Sequence, residues 1–466
     1  MKKFVLFLFF LFIATVSQAK LDFSDFATKG FEGKGKLEFH SPEDVIMTND
    51  GQFVISDQRN NRLQVLDSKG DFVRFIPENK SKPVNIIPPE KETSAQKKAR
   101  EASEQWLTKC QSTFTAPIGL AMDSKGLLYV SMMNNHNILI IDFNTGQVID
   151  ALGGKVASRK QNEFYQPMDI DISSKDLLAV AEFKNNRVQI IDLSTRKCVK
   201  ELIYQQQEEN KKPVSLSPRG VHWTNDGRLL VSYPSYNQIV CWQPLSGEII
   251  WRYGGYEGSE KGKLSNPSYI CEGVDGGFLV TDTLNNRVVE ISRDGKFVEH
   301  YSKRGTAPGK LYGPRGLVLT PDENLFIIDQ SNNRVQFFRP GQATLTLREA
   351  KQFALQDDWE NAKLRIIKVL NLQPNNEQAR DLMVNALYYF GDQAFNKGDY
   401  KTADDNYRSV MKYRPDDINV KEKLDKVFWA SNEQSITTAI LIAVSAIGFL
   451  FCLWIIKMLV KRLWRN

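Results

Sequence analysis

From Leu21 to about Pro340 the apolar residues come in short runs split by Gly, Asn, Asp and Ser. Many runs alternate β-branched or aromatic residues with polar ones, the pattern of strands that bury one face. Phe53-Val54-Ile55-Ser56-Asp57 and Leu325-Phe326-Ile327-Ile328-Asp329 are two of them. The runs belong to a unit that recurs six times. Its copies open at Ser41-Pro42-Glu43-Asp44-Val45, Ala116-Pro117-Ile118-Gly119-Leu120, Gln166-Pro167-Met168-Asp169-Ile170, Ser217-Pro218-Arg219-Gly220-Val221, Asn266-Pro267-Ser268-Tyr269-Ile270 and Gly313-Pro314-Arg315-Gly316-Leu317. Each continues as strand, turn, strand, turn, strand. The first turn carries Asp-Gly or a variant (Asn49-Asp50-Gly51, Ser124-Lys125-Gly126, Asn225-Asp226-Gly227), as a reversal needing positive φ requires. Successive openings lie 75, 50, 51, 49 and 47 residues apart, so each interval holds one four-stranded unit and the first also holds an insertion.

The second and third strands of a unit are joined by its most distinctive segment: Asp57-Gln58-Arg59-Asn60-Asn61-Arg62, Glu182-Phe183-Lys184-Asn185-Asn186-Arg187, Asp282-Thr283-Leu284-Asn285-Asn286-Arg287 and Asp329-Gln330-Ser331-Asn332-Asn333-Arg334. The second unit departs with Asn134-Asn135-His136 and the fourth with Tyr236-Asn237-Gln238. Asn tolerates left-handed backbone and a carboxylate beside Arg can tie a loop, so these residues read as structural. With the Pro-x-Gly opening, they resemble the NHL repeat. The resemblance implies a mainly β fold, a six-bladed β-propeller of NHL type over residues 20–340, and leaves function open, because propellers host binders and enzymes alike. The sixth unit lacks its outermost strand, and Leu21–Ala27 is the spare one, so the N-terminal strand is predicted to complete the last blade. The insertion, 77–115, is rich in Lys, Glu and Pro and reads as a helix over Ser94–Leu107. It either overhangs the face of the Asn-Asn-Arg loops or stays a disordered surface loop.

Beyond Pro340 the period becomes helical. Gly391, Ala394, Gly398, Tyr400, Ala403, Tyr407, Val410 and Pro415, with Trp359, Ala362, Ile366, Val369 and Pro374 before them, are similar in spacing to the tetratricopeptide repeat (TPR), whose small residues let paired helices approach. A TPR-like region over 345–432 follows from that resemblance. Two such units fall below the usual three, so they need a further surface to pack on.

The ends change the picture again. Met1-Lys2-Lys3, the apolar run Phe4–Val16 and Ser17-Gln18-Ala19 read as a signal peptide, 1–19. Ile436–Ile456 is 21 residues without a charge, enough to cross a bilayer. Lys457, Lys461, Arg462 and Arg465 follow it without an acid, which puts the tail, 457–466, in the cytoplasm and everything before the span outside: a single-pass type I membrane protein. Those four residues with Lys2 and Lys3 account for the net charge of +6, so the exported body is neutral and nucleic acid is not an expected partner. Cys110, Cys198, Cys241 and Cys271 stand at no metal or Cys-x-x-Cys spacing and are either disulfide-bonded or buried thiols.

Signs of catalysis are few. The enzymatic relatives of the fold that the resemblance brings to mind, lactonase, paraoxonase-like and lyase propellers, hold a channel metal. Here His40, His136, His222 and His300 occupy different places in their units, and no metal or cofactor is expected. What varies as a binding mouth would are the two residues after each opening Pro: Glu43, Ile118, Met168, Arg219, Ser268 and Arg315, then Asp44, Gly119, Asp169, Gly220, Tyr269 and Gly316. They are either loop decoration or a channel mouth with Glu43, Asp44, Asp169, Arg219, Tyr269 and Arg315 as ligand-binding residues. Arg219 and Arg315 lead the set, since paired guanidinium groups suit carboxylate-bearing ligands. The expected function is a membrane-anchored scaffold for a protein, peptide or envelope ligand, alone or as a subunit of a membrane complex; the alternative is a metal-dependent propeller hydrolase or lyase.

Overall fold

The computed structural model describes residues 23–78, 84, 86, 92–154, 156–206, 214–273 and 276–463. The expected signal peptide and the last three residues of the expected tail lie outside them. The chain divides into two units at Gly341.

The first unit is a six-bladed β-propeller. Blade one runs from the channel outward as Pro42–Met47, Phe53–Asp57, Arg62–Leu66 and Phe72–Ile76, and blades two to five repeat this order with consecutive strands. Blade six is composite. Its inner strands are Pro314–Leu319, Leu325–Asp329 and Arg334–Pro340, and its outermost is Phe23–Lys29, antiparallel to Arg334–Pro340 with Phe26 opposite Phe338. The N-terminal strand therefore closes the ring, and the rings of Phe23 and Phe26 meet Phe338 edge-on at 6.1 and 5.0 Å. The core is a circle of wedges between blades. Val54, Val65 and Ile76 of blade one pack with Leu128, Val130 and Leu139 of blade two, and Phe53 and Ile55 pack on the other side with Phe326 and Val335 of blade six.

Polar clamps tie four of the blades, one, three, five and six, to their connections. In blade one Asp57, fully buried, accepts hydrogen bonds from the His40 amide (2.8 Å), Asn60 Nδ2 (2.9 Å), Arg62 Nε (2.9 Å) and Gln64 Nε2 (3.2 Å). The Arg62 guanidinium then donates to the carbonyls of Lys34, Gly35 and Glu38, which fastens the incoming connection. Asp329 with Asn332, Arg334 and Gln336, and Asp282 with Asn285 and Arg287, repeat the arrangement. In blade three Glu182 replaces the Asp and still holds Asn185, Arg187 and Gln189.

The next loop position staples neighbouring blades. Asn61, Asn186, Asn237, Asn286 and Asn333 all have φ between 50° and 56°, in the left-handed region that Asn tolerates. There the Oδ1 of Asn61 accepts from the Ala116 amide at 2.9 Å, that of Asn237 from Asn266 (2.9 Å), that of Asn286 from Gly313 (3.0 Å) and that of Asn333 from Ser41 (2.9 Å). Asn186 takes the Ser217 hydroxyl instead, at 2.6 Å. The divergent second unit keeps the device: His136 adopts φ 56° and its Nδ1 accepts from the Gln166 amide at 3.3 Å. Imidazole nitrogen stands where an amide oxygen stands in the other blades.

The insertion contains a helix, α1 (Ser94–Ser112), started by a capping box between Thr93 and Gln96. Its buried residues Leu107 and Cys110 join the core between blades one and two, and Gln111 Oε1 accepts from the amide of Val148 on the outermost strand of blade two. Just past its C-terminal end the chain meets the loop of blade two, where Asn135 Nδ2 donates to the Thr113 carbonyl at 3.0 Å. The apolar side of α1 is needed to fill the groove between the blades.

The second unit is helical: α2 (Gln342–Leu355), α3 (Trp359–Leu372), α4 (Glu377–Asn396), α5 (Tyr400–Val410) and α6 (Ile418–Leu463). Asp358, Asn376 and Asp399 cap α3, α4 and α5 through their side chains. Gly391 is required by packing, since a Cβ there would overlap the Tyr407 ring. Ala362, Ile366, Val369, Ala394 and Ala403, singled out by spacing, are buried. The end of the region expected as TPR-like, 345–432, and the span expected over Ile436–Ile456 are joined in one unbroken helix of 46 residues.

Two outcomes test these contacts. Deleting Leu21–Ala27 exposes the edge of Arg334–Pro340 and is expected to replace one cooperative melting transition by a broad one; an unchanged melting curve would place the closing contact elsewhere. Burial holds the pKa of His136 below the usual histidine value, so the unfolded chain binds the proton more readily than the fold does. That contribution to stability is present above the unfolded value of about 6.5 and is lost as pH falls below it. His136→Asn keeps the staple without the titration. Its Tm is expected to fall less than that of the wild type between about pH 7.5 and about pH 5.5, and equal slopes would remove His136 from the acid response.

Candidate functional site

In five blades the residues after the opening Pro sit on an irregular stretch of strand, and in blade four Arg219 and Gly220 precede the innermost strand, which begins at Val221. Pairing between innermost and second strands breaks register between Pro42 and Val45, Pro117 and Leu120, Pro167 and Ile170, Pro267 and Ile270, and Pro314 and Leu317. An extra residue in one strand re-aims side chains, here toward the propeller axis.

Glu43, Arg219 and Arg315 meet at that end of the channel. Arg219 Nη2 donates to Glu43 Oε2 at 2.7 Å, Arg315 Nε lies 3.9 Å from the same oxygen, and Gln330 Nε2 donates to Glu43 Oε1 at 2.7 Å. Arg315 also donates to Gln330 Oε1 (3.1 Å) and Ser268 Oγ (3.0 Å), and the Arg219 guanidinium lies 5.9 Å from the centre of the Tyr269 ring. Burial works against the charge of Arg219, and Glu43, Tyr269 and Asp169 around it together outweigh that effect and raise its pKa. Burial and the neighbouring Arg219 lower the pKa of Arg315. Two guanidinium groups thus share one carboxylate, and Arg219 Nε is buried with no partner among the described residues.

Asp44, Asp169 and Tyr269 follow at the next position and are buried, as Glu43 is. They alternate around the axis with Gly119, Gly220 and Gly316. Asp44 accepts from its neighbour Val45 and from Leu120 of the next blade, and Asp169 does the same with Ile170 and Val221, so these carboxyls join blades in pairs. The glycines let the next strand come close: a Cβ on Gly220 would overlap the Ser268 carbonyl. Burial pushes the carboxyls of Asp44 and Asp169 well up, against the pull of the amides, and each is affected by nearby acids. Burial also pushes up the Tyr269 phenol, whose Oη has no partner among the described residues.

Beyond this layer the innermost strands of all six blades enclose a cavity of about 270 Å³ that runs from Asp44, Asp169 and Tyr269 to Met47 and Asn49. His222 and Asp171 line it, with His222 Nδ1 3.2 Å from Asp171 Oδ2. Cys271 lines it too, its thiol pushed up by burial to about 12 and so unreactive near neutral pH. Among the described residues no three of His, Cys, Asp and Glu are placed to share a metal ion, and Cys110, Cys198, Cys241 and Cys271 are all free thiols.

No family model and no curated protein matches the chain. Solved structures do. Virginiamycin B lyase from Staphylococcus aureus is similar at 14% identity and a TM-score of 0.44, over 68% of this chain and 99% of that one. A streptogramin B lyase stands at 16% and 0.44, over 68% and 98%. Hydrazine synthase from Kuenenia stuttgartiensis stands at 13% and 0.43, over 66% and 98%.

Gln330 is the member of the cluster that sequence reading passed over. It occupies a loop position read as turn, and only ring closure brings it to Glu43. The two arginines are less free than their exposed-loop reading implied, because their carboxylate partner is the protein's own. Arg219→Ala is therefore expected to cost about 3 kcal/mol in urea unfolding, the cost of stranding a buried carboxylate. Adding Glu43→Gln is expected to restore at least half of the loss, and a neutral Arg219→Ala would show that the ion pair carries no stability.

Proposed function

We propose that the chain is a membrane-anchored, extracytoplasmic platform that presents an NHL-type propeller and TPR-like helices to a protein, peptide or cell-envelope ligand bearing a carboxylate. One observation carries the binding part: at the channel mouth Arg219 and Arg315 face a single carboxylate, Glu43, so a positive charge is left over beside a buried, unpartnered Arg219 Nε. The repeated loop residues support it by contrast, because their hydrogen bonds hold blades together. The anchor rests on Ser435–Leu459, 25 residues long and apolar enough to cross a membrane, and the basic residues after it orient the tail inward. A second reading, a channel-centred hydrolase or lyase, draws on the cavity lined by Asp44, Asp169, Asp171 and His222. Stoichiometric binding of calcium, manganese or zinc by the wild type, lost in Asp169→Asn, would favour it.

Protease added to cells with a permeable outer layer and an intact inner membrane is expected to digest the propeller and spare the tail; a protected propeller overturns the orientation. For the mouth, Arg315→Ala is the variant of choice, since the closest partner of Glu43 stays in place. It is expected to lower the yield of the partner crosslinked to the wild type by about tenfold or more, the range of one lost charge-assisted hydrogen bond, with Tm near wild type. Equal yield moves the ligand site to the helical unit, where Tyr388, Tyr389, Asn396 and Tyr407 are the next residues to change.

A further inference from the structure

The helical unit holds a groove of about 580 Å³ between the end of α4 and α6, lined by Phe395, Asp425, Trp429, Glu433, Ile436 and Thr437 among others. Its lower end belongs to the apolar stretch that begins at Ser435. Its upper end is tied to the body of the unit, because Val427 is buried with Ala394, Ala403 and Tyr407 of the α4–α5 hairpin. At about 1.5 Å per residue of unbroken helix, Trp429 stands about 9 Å and Val427 about 12 Å above Ser435. The headgroup layer is roughly 5 to 8 Å deep on each side. The hairpin has no length of linker in which to stand away from the bilayer. Phe428 and Trp429, 57% and 60% exposed, lie at the level where interfacial aromatics collect.

We propose that the α4–α5 hairpin rests on the bilayer surface and that this groove takes the headgroup of an ammonium-bearing zwitterionic phospholipid. The proposal depends on α6 crossing the membrane. The charges select the headgroup. Lys426 is paired with Glu422 at 2.7 Å, whereas Asp425 and Glu433 have no ion pair among the described residues. Two carboxylates beside the Trp429 ring suit a cationic ammonium and repel a purely anionic lipid. The groove is also continuous with surface that already faces lipid, so a headgroup enters it without leaving the membrane.

The test uses the full chain with Cys452→Ala in nanodiscs of mixed phospholipids, carrying a nitroxide at Gly448→Cys, Lys397→Cys or Lys368→Cys. Oxygen and a water-soluble nickel chelate report depth. Gly448 is expected in hydrocarbon, Lys397 at headgroup depth and Lys368, exposed on α3, in water. Gly448 in water overturns the span and this proposal with it; Gly448 in hydrocarbon with Lys397 as wet as Lys368 overturns the proposal alone. Photoactivatable phosphatidylethanolamine is expected to give at least about five times the adduct of photoactivatable phosphatidylglycerol, and Asp425→Asn with Glu433→Gln to erase the difference. Equal adducts from the two lipids in the wild type overturn the headgroup assignment.

Discussion

A buried carboxylate, placed where the second strand of a blade ends, is the contact on which the propeller depends. Leaving water is costly for a charge unless hydrogen bonds replace hydration, and each of Asp57, Glu182, Asp282 and Asp329 recovers them from an Arg, an Asn and backbone amides. Because the Arg in turn holds the carbonyls of the incoming connection, one ionised group fixes both the blade and the chain leading into it. The left-handed Asn next to it then reaches the following blade. Rotation from blade to blade is thereby set by short polar contacts, and the apolar wedges only have to fill the space so defined.

Around the axis a second order overlies the sixfold one. Asp44 and Asp169 join blade one to two and three to four, and Tyr269 stands in the corresponding place in blade five. The glycines between them admit the neighbouring strand. The channel is consequently closed by a threefold layer, polar on the side of Arg219 and Arg315 and cupped on the side of His222. A ligand at the arginines and one in the cavity would meet different chemistry, although fewer than three residues of strand separate them.

Much of this was legible in the linear chain. The six openings, the Asp-to-Arg segment and the missing outer strand of blade six are local signals, and local geometry follows from them. The partner of Arg219 was not legible, because Glu43 is 176 residues away and only the closed ring makes them neighbours. Gln330 and Glu43 are 287 apart for the same reason. His136 looked like a lapse in the repeat, yet its Nδ1 does the work of an amide oxygen, an equivalence that no residue pattern encodes. The place of α1 depended on a groove between blades that exists only after folding. The continuity of α6 was hidden by Glu433-Gln434-Ser435, the polar residues between the helical region ending at 432 and the span starting at Ile436, which are in fact helix.

Closure by the N-terminal strand bears on the order in which the molecule can be made. Phe23–Lys29 leaves the ribosome before every blade and finds its partner only after Arg334–Pro340 has emerged; the Asn333 to Ser41 staple spans 292 residues. Throughout that interval the nascent chain carries an unpaired strand with two phenylalanines and an open array of blades, contacts of the longest sequence separation being the last to form. Such a chain gains from a holding chaperone during synthesis or translocation, and a nonsense or frameshift lesion just before Pro314 would leave five formed blades with two exposed edges, a product suited to aggregation and proteolysis.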